Sequence, residues 1–160
     1  MLGGMERELP IQIDAVIERM YFTDGKEVYG YVSGHTLRNY AGLTRQVPSF
    51  LEVTTNNETE SSRDSYVGSR RVITHRPPTV ITKENVNALQ FLDLMILSEP
   101  DHLDEISMRL FREWLQENPV VYGELLPYVR LFPDVVRVNV EKKVIKDELT
   151  QGSGEVQGHH

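Results

Sequence analysis

The chain has 160 residues, no cysteine and a formal net charge of −7, with 39% hydrophobic and 26% charged residues. This composition is that of one folded globular domain, and it excludes disulfides, thiolate catalysis and cysteine-ligated zinc, while the acidic balance argues against a nucleic-acid clamp. The chain has no run of about 18 apolar residues and no apolar signal-peptide core, so we expect a cytoplasmic protein without a membrane contact.

The two ends of the chain are set apart from its middle. Residues 1–9 are expected to be disordered or to derive from cloning, and residues 150–160 to be a linker with a tag-like tail. Residues 10–149 are therefore expected to form a single domain. The first predicted elements are a helix over residues 10–20 and a strand over residues 26–32. The predicted helix has an apolar stripe formed by Ile11, Ile13, Val16, Ile17 and Met20.

Residues 30–55 are predicted to form one continuous strand–helix–loop–strand unit. Ser33 can cap the start of a short helix over residues 35–40 with its hydroxyl. Gly42 stands where a left-handed residue commonly ends a helix. Residues 50–55 then alternate as a half-buried strand.

The next segment is predicted to be rich in strands. Residues 56–64 are polar and are expected to form an exposed hairpin loop. Two strands over residues 65–67 and 69–75 follow, with a break near Gly68. A last short strand is predicted at residues 80–81.

Helices are predicted for most of the remaining chain. Thr82 is expected to cap a helix over residues 83–97, whose many apolar residues indicate a central position. A second helix is predicted over residues 102–117 and a third over residues 120–132, with Pro127 as a kink.

Residues 133–149 are ambiguous, because their valines fit both a helix ridge and an alternating strand. Pro133 followed by Asp134 resembles a helix start, so helix is preferred. The order of helix, strands and helices indicates an α+β fold, with a mostly antiparallel sheet backed by helices and a helical C-terminal third.

A search for catalytic patterns gives one alternative function. Asp134, Glu141 and Lys143 resemble the residues of a Mg²⁺-dependent nuclease. In a single helix, however, Asp134 and Glu141 would lie about 10 Å apart, too far to share a metal, whereas a hairpin would bring them together. No nucleotide-binding loop is present, and His35, His75 and His102 form no H-E-x-x-H or H-x-H pair, so we expect a protein that is not an enzyme and needs no metal and no other cofactor.

A basic stretch in the middle of the chain is the candidate site for a partner or for nucleic acid. Its candidate binding residues are Arg63, Arg70, Arg71 and Arg76, with Tyr66 among them. Adjacent residues of a strand point to opposite faces, so at most one of Arg70 and Arg71 joins a flat patch. A DNA-binding regulator is thus a further alternative, but the acidic net charge predicts weak DNA binding. A second candidate surface has aromatic anchors at Trp114, Tyr122 and Tyr128, although the helical spacing of Trp114 favours a core position.

The unit over residues 30–55 also resembles the AbiEi-like antitoxins of type IV toxin–antitoxin systems. The resemblance extends over about residues 10–97. Its motif is structural rather than catalytic and consists of Ser33, Gly34, Gly42, Leu43, Thr44, Gln46 and Pro48, followed by a strand.

The resemblance implies a non-enzymatic antitoxin that opposes a nucleotidyltransferase-like toxin, its expected protein partner. Members of that family often repress their own operon through an N-terminal winged helix. Here only about nine residues precede the first predicted helix, so binding of a partner is the expected role and regulation of transcription is secondary. The oligomeric state is not indicated by the sequence.

Overall fold

The computed structural model describes residues 12–149, which form an α+β fold around a four-stranded mixed sheet. The elements in chain order are α1 (Ala15–Tyr21), β1 (Gly30–Val32), α2 (Gly34–Tyr40), β2 (Leu51–Thr55), β3 (Ser62–Val67), β4 (Arg70–His75), α3 (Val86–Leu97), α4 (Glu105–Glu117), α5 (Tyr122–Leu125) and α6 (Asp134–Val140). Residues 143–149 are also helical. The predicted fold class is confirmed. Within residues 12–149, no helix combines the length and the apolarity that crossing a lipid bilayer requires.

The strand order β1-β2-β4-β3 corrects the prediction for residues 56–64. β1 and β2 are antiparallel, β3 and β4 are antiparallel, and β2 runs parallel to β4. Residues 56–61 are therefore a crossover to the far edge of the sheet and not a hairpin loop, while residues 62–64 belong to β3. The hairpin of the sheet joins β3 to β4 at Gly68, where the backbone has a φ of +62°, close to the predicted break.

The central strand β2 is more deeply buried than predicted. The prediction was a half-buried strand, but all five of its residues are buried. The strand register places Leu51 and Val53 on the face of Val72, where they join the main core. The opposite face of β2 presents Glu52 and Thr54 beside β1 and β4, so a carboxylate is held at the centre of the sheet.

The first predicted helix begins later than expected. α1 starts at Ala15, because the Asp14 carboxylate accepts a hydrogen bond from Ile17 N–H at 2.9 Å and caps the helix. Ile17 is its one buried residue, whereas Val16 and Met20 of the predicted stripe are exposed. Pro10 and Ile11 lie outside the described residues. The strand predicted to begin at residue 26 is limited to β1, apart from an isolated bridge at Val28.

The strand predicted at residues 80–81 is absent, because a side chain takes the place of a neighbouring strand. The Asn56 amide donates to Ile81 O and accepts from Ile81 N–H, both at 2.9 Å. The helix predicted over residues 83–97 is present, but α3 begins three residues later and has Asn85 at its N-cap position, so the predicted Thr82 cap is wrong. Thr82 and Asn85 bind each other's backbone N–H groups in the turn before the helix. α3 is central as predicted, because it packs against β1, α2, α5 and α6.

The helix predicted over residues 102–117 begins three residues later, and the helix predicted over residues 120–132 is divided. Pro100–His102 form a 3₁₀ turn, and α4 starts at Glu105 because the Asp104 carboxylate caps it. α5 and the 3₁₀ turn Val129–Leu131 replace the third helix, with Pro127 between them, because proline has no N–H to continue a helix. Residues 133–149 are helical as preferred, in two pieces separated at residues 141–142.

Candidate functional site

The N-terminus of α2 is capped by two carboxylates from distant parts of the chain. Ser33 occupies the N-cap position, but its hydroxyl accepts a hydrogen bond from Thr54 Oγ1 at 2.9 Å, so the predicted hydroxyl cap is wrong. Instead, Gly34 N–H donates to Asp93 Oδ2 and His35 N–H donates to Glu52 Oε1, each at 2.8 Å. The sequence could not reveal this cap, since its acceptors lie on α3 and β2.

Gly34 is a glycine because it lies against the Glu52 carboxylate. Its backbone φ is +57°, in the left-handed region that glycine tolerates best. A Cβ atom at this position would lie 2.1 Å from the carboxyl carbon of Glu52, far inside van der Waals contact. The Ser33-Gly34 part of the sequence motif therefore serves to bring the carboxylate onto the helix start.

Gly42 ends α2 in the predicted left-handed conformation, with a φ of +83°. Its N–H donates to Asn39 O at 3.1 Å, and Leu43 N–H donates to Arg38 O at 3.0 Å. These are the two bonds of a Schellman motif, so the prediction is confirmed. A Cβ on Gly42 would lie 2.3 Å from the Cβ of Leu110 on α4.

The loop after α2 is held by side-chain amides and hydroxyls. Asn39 Nδ2 donates to the carbonyls of Thr44 and Gln46 at 3.3 and 3.1 Å. The Thr44 hydroxyl accepts from Gln46 N–H at 3.2 Å. Thr36 binds the β2 backbone, since its hydroxyl accepts from Glu52 N–H at 2.9 Å. Hydrogen bonds of this motif region therefore position α2, the loop and β2.

Glu52 is the centre of a group of charged side chains on one face of the sheet. Its Oε2 atom lies 2.6 Å from His75 Nε2, and its Oε1 atom lies 3.3 Å from His35 Nδ1. Burial pushes the pKa of Glu52 upward, but the hydrogen bonds from His75 and His35 outweigh it and leave the pKa below its usual range. The hydrogen bond to Glu52 raises the pKa of His75, although burial opposes this shift.

Asp93 and Tyr31 lie beside this group and have fewer hydrogen-bond partners than Glu52. Burial raises the pKa of Asp93 to about 6, the Gly34 hydrogen bond opposes the rise, and the charge of Glu52 adds to it. Tyr31 is only 4% exposed, and burial followed by the charge of Asp93 raises its pKa well above the usual value. Its hydroxyl has no hydrogen-bond partner among the described residues. The neighbouring Thr54 hydroxyl, which donates to Ser33, opposes this rise in the pKa of Tyr31.

These side chains line a cavity of about 470 Å³ between the sheet and α3. Its polar part contains Tyr31, Glu52, His75 and Asp93, and its apolar part includes Phe132 and two prolines of the segment after β4. A concave, largely apolar space with a few convergent polar groups is typical of a ligand site.

The residues of the nuclease alternative are not brought together. Asp134 starts α6 and Glu141 follows its end, about two turns away. Glu141 accepts hydrogen bonds from Tyr122 and from Lys146, and Lys143 pairs with Asp147 at 2.6 Å. No group of three or more His, Asp or Glu residues in the described part of the chain could hold a metal ion.

Two arginines of the basic stretch form ion pairs within the sheet region. Arg63 Nε lies 3.0 Å from Glu58 Oε1, and its Nη2 lies 3.1 Å from Glu58 Oε2. Arg71 Nη2 lies 2.6 Å from Asp64 Oδ2, and both of these side chains are partly exposed. The charges of Arg63 and Arg71 are therefore already compensated in the free chain.

The other two arginines bind backbone carbonyls. Arg70 donates to Gln12 O, and Arg76 donates to Thr59 O at 3.2 Å. The strand register puts Arg70 and Arg71 on opposite faces, as predicted. The four arginines therefore do not share one flat patch. Tyr66 lies opposite Arg71 and is 67% exposed.

The aromatic candidates of the C-terminal region are mostly part of the core. Trp114 is buried and stacks on Phe111, which agrees with the core position that its spacing favoured. Tyr122 and Tyr128 are partly buried and pack against the core.

The sequence analysis assigned no role to Glu52, Asp93 or Tyr31, which form the cavity floor. The available signal was a carboxylate in an otherwise uncharged strand and another in an otherwise uncharged helix, α3. No family model, curated protein or solved structure matches this chain.

Proposed function

We propose that this chain is a non-enzymatic, antitoxin-like interaction protein that opposes a nucleotidyltransferase-like toxin. The observation that supports this most directly is the arrangement of the motif on which the resemblance depends. Gly34 and Gly42 bracket α2 in left-handed conformations, and Asn39 fastens the loop that contains Thr44 and Gln46. A motif whose residues build the fold suits a protein that acts through its surface.

The β3–β4 hairpin is the docking surface that we favour. β3 is an edge strand, so one side of its backbone is available for pairing with a partner. Tyr66 projects from it, and the guanidinium of Arg71 lies 5.5 Å from the centre of the Phe50 ring. Tyrosine and arginine are the residue types that dominate binding energies at protein interfaces. An arginine here would pair with the acidic metal-binding residues of a nucleotidyltransferase-like toxin.

Co-expression with the toxin encoded by the neighbouring gene tests the proposal. We expect the wild-type chain to relieve growth arrest and to retain the toxin in a pull-down, and the double variant Tyr66→Ala, Arg71→Ala to do neither. Lys143→Ala is the matched control, because it removes one positive charge from a side chain that is 87% exposed in the C-terminal helical segment. Persistent arrest by the toxin together with the absence of a complex would overturn the antitoxin proposal.

DNA binding is expected to be weak and salt-sensitive. Three of the four arginines point to separate partners or faces, so few phosphates could be neutralised at once. A mobility-shift assay at physiological salt checks this expectation. Nanomolar binding that Arg71→Ala abolishes would favour a DNA-binding regulator instead.

A further inference from the structure

The floor of the cavity beside Glu52 leaves acceptor capacity unused. Within residues 12–149, the hydrogen bond that Asp93 receives comes from Gly34 N–H, and no cationic side chain forms an ion pair with it. A carboxylate accepts up to about four hydrogen bonds, so most of its acceptor positions remain open. Glu52 differs, because His35 and His75 occupy both of its oxygens.

Tyr31 adds a second incomplete group at the same place. Its hydroxyl lacks a hydrogen-bond partner in the described part of the chain, although the side chain is almost fully buried. Leaving such a group unpaired destabilises the free protein, and a ligand that pairs with it would recover that loss. Tyr31 from β1 and Asp93 from α3 line the same cavity, so one ligand group can meet both.

The remaining wall of the cavity is apolar. Ile96 and Leu97 of α3 line one part, and Phe132 with Pro77 lines another. Aliphatic and ring surfaces of this kind pack well against a methylene chain, which long cationic side chains carry between their backbone and their charged end.

We propose that this cavity binds a guanidinium or primary ammonium group on an apolar stem, with Asp93 and Tyr31 receiving the cationic end and Phe132 packing on the stem. The group could come from an arginine or lysine side chain of a protein or from a small free amine, since the chemistry is the same. This binding requires neither a toxin nor the β3–β4 hairpin, so it stands independently of the proposed function.

The other charged groups at the cavity are consistent with a cation at Asp93. His75 and Glu52 compensate each other, His35 contacts Glu52, and the exposed Arg76 donates to a backbone carbonyl. With a pKa of about 6, Asp93 ionises as the pH rises from 5 to 7.5. Its negative charge favours a bound cation, so affinity should rise by about tenfold over this range.

Amide chemical-shift titrations of the full chain test the proposal with three probes. These are agmatine, a blocked Gly-Arg-Gly peptide and the matching citrulline peptide, which has the same shape without the charge. We expect the amides of Gly34 and His35 to shift with a cationic probe, which should bind at least about tenfold more tightly than the citrulline peptide. If both cationic probes bind, a protein side chain can supply the cationic group. If only agmatine binds, the ligand is a small free amine.

Two variants separate ligand binding from a structural role of the same residues. Asp93→Asn keeps an acceptor for Gly34 N–H and should weaken binding at least about tenfold, whereas Tyr31→Phe should weaken it about threefold. Because the Tyr31 hydroxyl has no hydrogen-bond partner within residues 12–149, Tyr31→Phe should fold with undiminished stability, and it tests the proposal even if Asp93→Asn does not fold. Tyr21→Phe, in α1 and outside the cavity, is the control and should bind as the wild type does.

Three results would overturn the proposal. One is the absence of cavity shifts with either cationic probe at millimolar concentration. Another is equal binding of the citrulline and arginine peptides. The third is wild-type affinity in a folded Asp93→Asn variant or, where that variant does not fold, in Tyr31→Phe.

Discussion

Thr74 and His75 are adjacent in β4, and each contacts a buried glutamate, one on either face of the sheet. His75 Nε2 lies 2.6 Å from Glu52, and the Thr74 hydroxyl donates to Glu58 at 2.5 Å. The two glutamates are similarly buried, with 9% and 6% of their surface exposed. Their charges are compensated differently, because Glu52 is paired with histidines and Glu58 with Arg63.

This difference decides how each face responds to pH. The hydrogen bonds from Arg63 lower the pKa of Glu58 to about 2, and arginine stays protonated at all relevant pH values. The hydrogen bond to Glu52 raises the pKa of His75, so this pairing weakens as the pH rises through that raised value. Equal burial of a carboxylate therefore gives a permanent ion pair on one face and a titratable one, beside a cavity, on the other.

The largest effect is expected for Gly34→Ala, which would break the packing on Glu52. The variant combines a strained left-handed backbone with displacement of the carboxylate, so we expect a loss of at least about 3 kcal/mol of unfolding free energy. Gly68→Ala is the matched control, because Gly68 has a similar φ of +62° but open space around its Cα; it should cost about 1 kcal/mol. Chemical denaturation measures both, and equal losses would contradict the role assigned to the Glu52 contact.

Asp93→Asn tests the carboxylate that has no ion-pair partner within residues 12–149, on the same side of the sheet as Glu52 and His75. The folded pKa of about 6 lies above the unfolded value of 3.8, so ionisation destabilises the folded state increasingly as the pH rises between these values. Asparagine does not ionise, and the variant should therefore gain up to about 3 kcal/mol relative to the wild type between pH 3.5 and pH 7. Urea denaturation at both pH values checks this, and a difference that does not change with pH would contradict the raised pKa.

Glu52→Gln and Glu58→Gln compare the two ion pairs directly. Because the pKa of His75 is raised, the stability from its pairing is fully present below the unfolded histidine pKa of 6.5 and is lost as the pH rises through the folded value. The stability from this pairing is also lost on the acid side, below about pH 4.5, because Glu52 then becomes protonated. Glu52→Gln should therefore cost about 2 kcal/mol at pH 6 and less at pH 9.

Glu58→Gln should behave differently from its counterpart. Its partner Arg63 keeps its charge and is half exposed, so we expect a loss of about 1 kcal/mol that is the same at pH 6 and pH 9. Denaturation curves of both variants at the two pH values provide the measurement. If the losses of unfolding free energy in Glu52→Gln and Glu58→Gln changed with pH in the same way, the two sides of the sheet would not differ in their response to pH.

The smallest effect is expected for Arg71→Ala. Arg71 and Asp64 are both partly exposed, and ion pairs of this kind contribute little to stability. The thermal midpoint should move by about 2 °C or less. A larger decrease would mean that the hairpin needs this pair to fold, and the loss of partner binding by an Arg71 variant would then have a structural explanation.

The sequence by itself determined the features that depend on neighbouring residues. Gly42 and Gly68 adopt the left-handed conformations that glycine permits, and Pro127 interrupts a helix. The α+β class could also be predicted, because the spacing of apolar residues along each element is visible in the chain. Such features follow from steric and hydrogen-bonding limits that act over a few residues.

Only the tertiary structure decided which elements are neighbours and what the polar side chains bind. Local pattern could not place β4 between β2 and β3, nor replace the Ser33 cap with Asp93, which is 59 residues away from Gly34. The strand at residues 80–81 was lost to a side chain 25 residues away, Asn56. The cavity depends in the same way on long-range packing, because Tyr31, Glu52 and Asp93 come from three separate elements and acquire their unusual environment only when the sheet and α3 close over them.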